Sequence, residues 1–175
     1  MMDKEVTLHA FEMEYVKELH GWLNDPVSIS MVGRTPLTYE QTVNHVEEKR
    51  QNGDLVLAIK NKEKRLIGWV FLQDIEYEHG RASLGILLAP EARGQGYGKS
   101  ALEQVIDIGF KQLRLNKIYL TTRGINERAI SLYKKVGFIV EGQLRQHAFL
   151  EGNYHNTYFM GILASDWKAK QTEEN

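Results

Sequence analysis

Hydrophobic and polar positions change period several times along the chain, and each change marks an element. Val6 to Ala10 alternate as a short strand, and over Glu12 to Leu23 the residues Tyr15, Leu19, Trp22 and Leu23 share one helical face. Asn24, Asp25 and Pro26 end that helix, because proline disfavours a helical residue before it. Val27 to Leu37 has no clear period and reads as a loop ending in Thr35 and Pro36, a candidate substrate lip. Thr38 with Gln41 spells a capping box, and Val43 and Val46 carry a modest apolar stripe to about Arg50.

After the turn Asn52, Gly53, Asp54, the period shortens. Leu55 to Lys60, Arg65 to Ile75 and Arg81 to Leu88 are strand-like runs joined by polar turns at Asn61 to Lys64 and Glu76 to Gly80, which predicts an antiparallel meander. Past Pro90 the period lengthens again. A helix is expected from about Tyr97 to Leu113, burying Leu102, Val105, Ile106, Gly109, Phe110 and Leu113. Lys117 to Thr122 is a strand, and Asn126 to Val136 a helix with Ala129, Ile130, Tyr133 and Val136 on one side and Gly137 placed to end it. Phe138 to Leu144 and Tyr158 to Leu163 read as the last strands, joined through Gly152 and Asn153. The tail from about Lys168 reads as loose, and the chain shows no repeat, low-complexity tract or linker.

Composition narrows the function classes. At 175 residues the chain has the length of one domain, residues 1–175. A formal charge of −1 gives no overall pull toward nucleic acid or acidic membranes. With no cysteine there is no disulfide, thiolate metal site or cysteine nucleophile. No metal-ligand spacing stands out, and neither a signal core nor an apolar run of membrane-spanning length is present, so a cytoplasmic protein is expected.

The chemistry concentrates at Gly94, Gly96 and Gly98, a glycine turn between an apolar strand and a helix. Such a turn presents free backbone N–H groups at the positive end of a helix dipole and suits a phosphate-bearing ligand. A P-loop would need glycine where Arg93 stands. A dinucleotide fingerprint fits Gly96, Gly98 and Ala101, but the next strand ends in Thr121, Thr122 and Arg123 without the ribose-binding acid. A third pattern takes in more residues: Arg93, Gly96 and Gly98 match [QR]xxGxG/A, and downstream NERAISLYKKVGF sets Asn126 at a helix start with Tyr133 two turns on.

These paired motifs resemble the GNAT superfamily of acetyl-CoA-dependent N-acetyltransferases over about residues 5 to 167. WLNDP at Trp22 to Pro26 and the run from Glu141 to Leu163 resemble the branch holding ribosomal-protein N-terminal and spermidine/spermine acetyltransferases. That branch often carries GxYxD in the late hairpin; here Gly152 and Tyr154 are followed by Asn156.

The resemblance implies an α/β (α+β) fold, with a mixed, antiparallel-to-parallel twisted central sheet flanked by helices. It implies that the amides of Gly94, Gln95, Gly96, Tyr97, Gly98 and Lys99 hold the diphosphate of acetyl-CoA, the side chains of Arg93 and Lys99 adding charge. The backbone of Ile86, Leu87 and Leu88 would pair with the pantetheine arm, a backbone donor near Leu88 would polarise the acetyl carbonyl, and Asn126 would hold the arm, unless it is simply a helix cap. A primary amine would attack the thioester directly, Tyr133 protonating the leaving thiolate.

Relatives often have Glu at the position of Ser83, so the base is open among Glu76, Glu78, His79, His147 and water. A weak base and an acid-free Ser28 to Thr38 favour a protein N-terminus, small amine or amino sugar as acceptor. Polyamine or aminoglycoside acetylation and a non-catalytic acyl-CoA sensor are the alternatives, and a homodimer is left open.

Overall fold

The computed structural model describes residues 4–32, 35–150 and 152–173. Gly33 and Arg34 of the expected lip, and the last two residues of the tail, lie outside the described residues. Seven strands form one sheet in the order β1-β2-β3-β4-β5-β7-β6. They are β1 (Thr7–Ala10), β2 (Leu55–Lys60), β3 (Leu66–Glu76), β4 (Arg81–Leu88), β5 (Lys117–Arg123), β6 (Ile139–Leu150) and β7 (Asn153–Leu163). Only β4 and β5 pair in parallel, so the sheet is antiparallel on both sides of one parallel junction. The expected meander is β2-β3-β4. Its first turn closes through Asn61, whose Oδ1 accepts the Arg65 amide at 2.9 Å.

Helices cover both faces: α1 (Val16–Leu23), α2 (Pro26–Val32), α3 (Tyr39–Gln51), α4 (Tyr97–Asp107), α5 (Glu127–Val136) and α6 (Ala164–Glu173). The capping box forms, with the Gln41 amide donating to Thr38 Oγ1 and the Thr38 amide to Gln41 Oε1. Trp69, Leu72, Leu102, Ile106, Ile118, Leu120 and Met160 are fully buried at the centre of the core. α4 continues into a wider π-helical turn, Ile108–Gln112. A Cβ on Gly109 would lie 2.7 Å from Ile118 Cδ1, so only glycine lets this turn press on the sheet.

Two expectations are corrected. The stretch after Pro26 is helix α2, because proline ends one helix and starts the next: Pro26 opens α2, and Asp25 Oδ2 accepts the Ser28 amide at 3.0 Å as its cap. The tail is also ordered, as α6, whose Trp167 is 5% exposed. Trp167 Nε1 and Gln171 Nε2 both donate to Asp107 Oδ1, at 2.7 and 2.9 Å, and Lys170 Nζ donates to the Val136 carbonyl. The late hairpin reaches further toward its turn than expected, β6 running on to Leu150 and β7 starting at Asn153. Its extra length includes a bulge between Leu144 and Ala148, where Gln146 takes φ +51°.

Candidate active site

The site forms where β4 and β5 part. They pair only from Arg81–Ser83 to Lys117–Tyr119, whereas β4 stays paired with β3 as far as Leu88 and β5 with β7 as far as Arg123. Residues 84–88 and 120–123 therefore face a wedge open toward the C-terminal ends of both strands. Ile86, Leu87 and Leu88 line its β4 side with half-buried side chains, and among the described residues no strand pairs with their backbone edge toward β5, where the Leu88 carbonyl accepts from Arg93 Nε. β3 and β4 are pinched together here, since a Cβ on Gly68 would lie 2.6 Å from the Leu87 carbonyl oxygen.

The glycine turn sits at the mouth of the wedge. Gly94 and Gly96 take φ +71° and +92°, and Gly96 is the N-cap of α4 with no side chain capping it. Among the described residues, no protein acceptor takes the amide protons of residues 94–98. A Cβ on Gly98 would lie 2.9 Å from Leu132 Cδ2, so the start of α4 rests directly on α5. The result is a row of N–H donors at a helix start, the arrangement that holds a diphosphate. Gln95 and Tyr97 turn their side chains to the N-terminal segment: Lys4 Nζ donates to Gln95 Oε1 at 2.9 Å and lies 5.0 Å from the Tyr97 ring centroid. Lys99 Nζ lies 3.6 Å from Glu103 Oε1.

Arg93 departs from its expected role. Its guanidinium donates to Asp25 Oδ2 at 2.7 Å, Ser28 Oγ at 2.6 Å and the Leu88 carbonyl at 3.1 Å, so its charge is spent on α2. From the other strand end, Arg123 Nη1 donates to the Ser30 carbonyl at 3.2 Å. Two arginines, one after β4 and one ending β5, thus fasten α2 across the open end of the wedge.

The hydrogen bond from Arg93 holds the Asp25 carboxyl below its ordinary 3.8. A depressed folded-state value stabilises the fold above about pH 4, and this is lost as pH falls through the lowered value. Asp25→Asn keeps a capping oxygen and removes the charge. It should lower Tm by about 3 °C at pH 7, with the deficit vanishing toward pH 2, read by thermal denaturation.

Asn126 is the N-cap of α5, its Oδ1 accepting the Ala129 amide at 3.2 Å. Its carboxamide nitrogen donates to no protein acceptor among the described residues. Tyr133 lies on the inner face of α5, 9% exposed, in edge contact with Phe138 at 5.8 Å between centroids. Burial pushes its hydroxyl up to about 12. That hydroxyl has no protein partner among the described residues. No side-chain polar atom there is both sealed and unsatisfied, so the hydroxyl keeps a solvent-reachable edge.

Ser83 marks the vertex, in register with Gln73 on one side and Tyr119 on the other. The base candidates do not gather there. Glu76, Glu78 and His79 lie at the closed end of the wedge, at and within the turn before β4. Arg81 Nε and Nη2 donate to Glu76 at 2.9 and 3.0 Å and hold its carboxyl below the usual range. His147 is exposed in the β6 bulge.

Two features escaped the sequence reading. Asn156, the departure from GxYxD, is a junction: its carbonyl accepts the Gly124 amide at 2.8 Å and its Oδ1 the Gln146 amide at 2.9 Å, fixing the bulge. Lys49 is buried under α3; its signal was its place on the stripe Thr42, Val46, Lys49.

Residues 5–139 match the acetyltransferase (GNAT) domain model. The chain is 30% identical to the spermidine N(1)-acetyltransferase of Vibrio cholerae over 168 residues, 95% of this chain and 97% of that one. It is 39% identical to the Escherichia coli K12 spermidine N(1)-acetyltransferase over 103 residues, 59% of this chain and 55% of that one. The crystal structure of the Vibrio cholerae spermidine N-acetyltransferase in complex with CoA and spermine superposes with a TM-score of 0.87, at 30% identity, over 94% of this chain and 98% of that one. The wedge, the glycine row and these matches agree: the chain belongs to the GNAT family and is an acetyl-CoA-dependent N-acetyltransferase.

Proposed function

We propose that the acceptor is a primary amine that arrives largely uncharged, a peptide α-amine or the amine of a small molecule such as an amino sugar. The observation carrying this reading is the floor around Ser83. Residues 69–73, 83–87, 119–123 and 157–161, which form the sheet there, contain no acidic side chain, and the Glu141 carboxylate that lies over Gly161 in the same row is paired with Lys117 Nζ at 2.6 Å. A peptide α-amine near pKa 8 is about one-tenth neutral at pH 7, whereas a lysine-like amine near 10.4 costs roughly 4 to 5 kcal/mol to deprotonate. A floor whose own strands carry no carboxylate, with the Glu141 carboxylate beside it already paired to Lys117, neither draws in a polycation nor takes its proton.

In this reading the amides of residues 94–99 hold the diphosphate of acetyl-CoA, which supplies the activated acetyl group. The backbone of residues 86–88 aligns the arm, and the Asn126 carboxamide nitrogen donates to it. The neutral amine attacks the thioester carbon from the Ser83 side and forms the amide. Tyr133 donates a hydrogen bond to the departing sulfur, and the proton shed by the amine leaves through water.

The full-length similarity to the Vibrio cholerae enzyme favours a second reading, a polyamine acceptor. Thiol release at pH 7 from acetyl-CoA with a short peptide, glucosamine and spermidine separates the two. We expect the peptide or the amino sugar to exceed spermidine in kcat/KM; spermidine exceeding both would establish the second reading.

A further inference from the structure

The cations nearest the glycine turn in sequence are engaged elsewhere. Arg93 is bonded to Asp25, Ser28 and the Leu88 carbonyl, Lys99 Nζ lies 3.6 Å from Glu103 Oε1, and Lys4 is held by Gln95 and the Tyr97 ring. A further cation stands at the turn itself. A Cβ on Gly94 would lie 3.7 Å from Arg128 Nη2, so this guanidinium reaches the first glycine of the row.

Topology brings Arg128 there. β4 and β5 are parallel and each is followed by its helix, α4 and α5, so the two helices run back side by side in the same direction. Gly94 meets Arg128 and Gly98 meets Leu132, four residues on in each segment, and both helix starts open on the mouth of the wedge. The Arg128 side chain is exposed, and among the described residues no carboxylate or carbonyl takes its guanidinium protons. Glu127, its neighbour in sequence, lies instead over a shallow hollow on the outer side of α5, with Ile130, Ser131, Lys134 and Lys135. Arg128 sits in the first turn of α5, where a cation works against the positive end of the helix dipole. An unpaired guanidinium at that place is favourable only once an anion joins it.

We propose that Arg128 binds the diphosphate of acetyl-CoA, supplying from α5 the side-chain charge that Arg93 does not. The proposal rests on the reading that the amides of residues 94–99 hold this diphosphate. The amide row donates to the phosphate oxygens from the α4 side, and the guanidinium fork donates to them from the α5 side through charge-assisted hydrogen bonds.

The test is the dissociation constant of acetyl-CoA, measured by calorimetric titration with no acceptor amine present. Arg128→Ala should weaken binding about tenfold at low salt, and the loss should shrink as ionic strength rises. A similar loss is expected with 3′-dephospho-CoA, which lacks the ribose phosphate and keeps the diphosphate. Arg128→Lys, which keeps the charge without the fork, should recover part of the affinity, and Lys135→Ala in the outer hollow should match the wild type. Without ligand, Arg128→Ala should not lower Tm, because it removes a cation from a helix start and strands no partner. Unchanged affinity in Arg128→Ala would overturn the proposal. So would a loss seen with acetyl-CoA and absent with 3′-dephospho-CoA, which would move the guanidinium to the ribose phosphate. Gly96→Val tests the amide row by itself: wild-type affinity there would strike the row, whereas the Arg128 variants bear only on the guanidinium.

Discussion

Tyr133→Phe should lower kcat about 100-fold to 1,000-fold while leaving the stabilisation by acetyl-CoA unchanged. The ring would keep its place against Phe138, because the edge contact at 5.8 Å involves only carbon. The lost hydroxyl leaves no buried partner stranded, so Tm should barely move. Burial raises this phenol to about 12, roughly three to four units above an ordinary aliphatic thiol. Full proton transfer to a departing thiolate would thus run uphill. In the proposed mechanism Tyr133 would therefore hydrogen-bond the sulfur as charge develops, its solvent-reachable edge letting water restore any proton that passes. Since its raised value keeps the phenol protonated across neutral and mildly alkaline pH, the rate should show no falling limb from this group below about pH 10. An unchanged kcat in the phenylalanine variant would remove Tyr133 from the mechanism.

The glycine turn, the capping box and the Asn126 cap were legible because each is local: a few adjacent residues decide the backbone, and tertiary packing only has to agree. The wedge was not readable from β4 itself. Ile86, Leu87 and Leu88 are apolar whether or not a neighbouring strand continues beside them, and its edges are set by where pairing with β5 stops. Arg93 shows the same limit, since its partners Asp25 and Ser28 lie more than sixty residues away in sequence. α2 was hidden because Pro26 both ends a helix and begins one. α6 was hidden because its apolar anchoring rests on Trp167, with Lys170 and Gln171 reaching back to α5 and α4 through polar atoms. The missing acid at Ser83 was readable, but the burial of Lys49 against Phe71 became visible only when α3 was laid on β3.

Gly96→Val should weaken acetyl-CoA binding more than tenfold, an effect that a matched substitution elsewhere can isolate. Gly96 holds φ +92° as the N-cap of α4, and a β-branched residue there is a genuine outlier costing about 1–3 kcal/mol. The turn can relieve that strain only by rotating its peptides, which turns the N–H row of residues 94–98 away from a common point. Strain alone would lower stability without touching the ligand. Gly152 provides the control: it takes φ +79° in the β6–β7 turn, with nothing within 4 Å of an added Cβ, so Gly152→Val carries comparable backbone strain away from the wedge. Both variants should lose a similar few degrees of Tm without ligand. Only Gly96→Val should lose the thermal shift produced by acetyl-CoA, since only there does the strained peptide belong to the donor row. Equal shifts in the two variants would mean that the diphosphate is held by side chains and that the row is incidental.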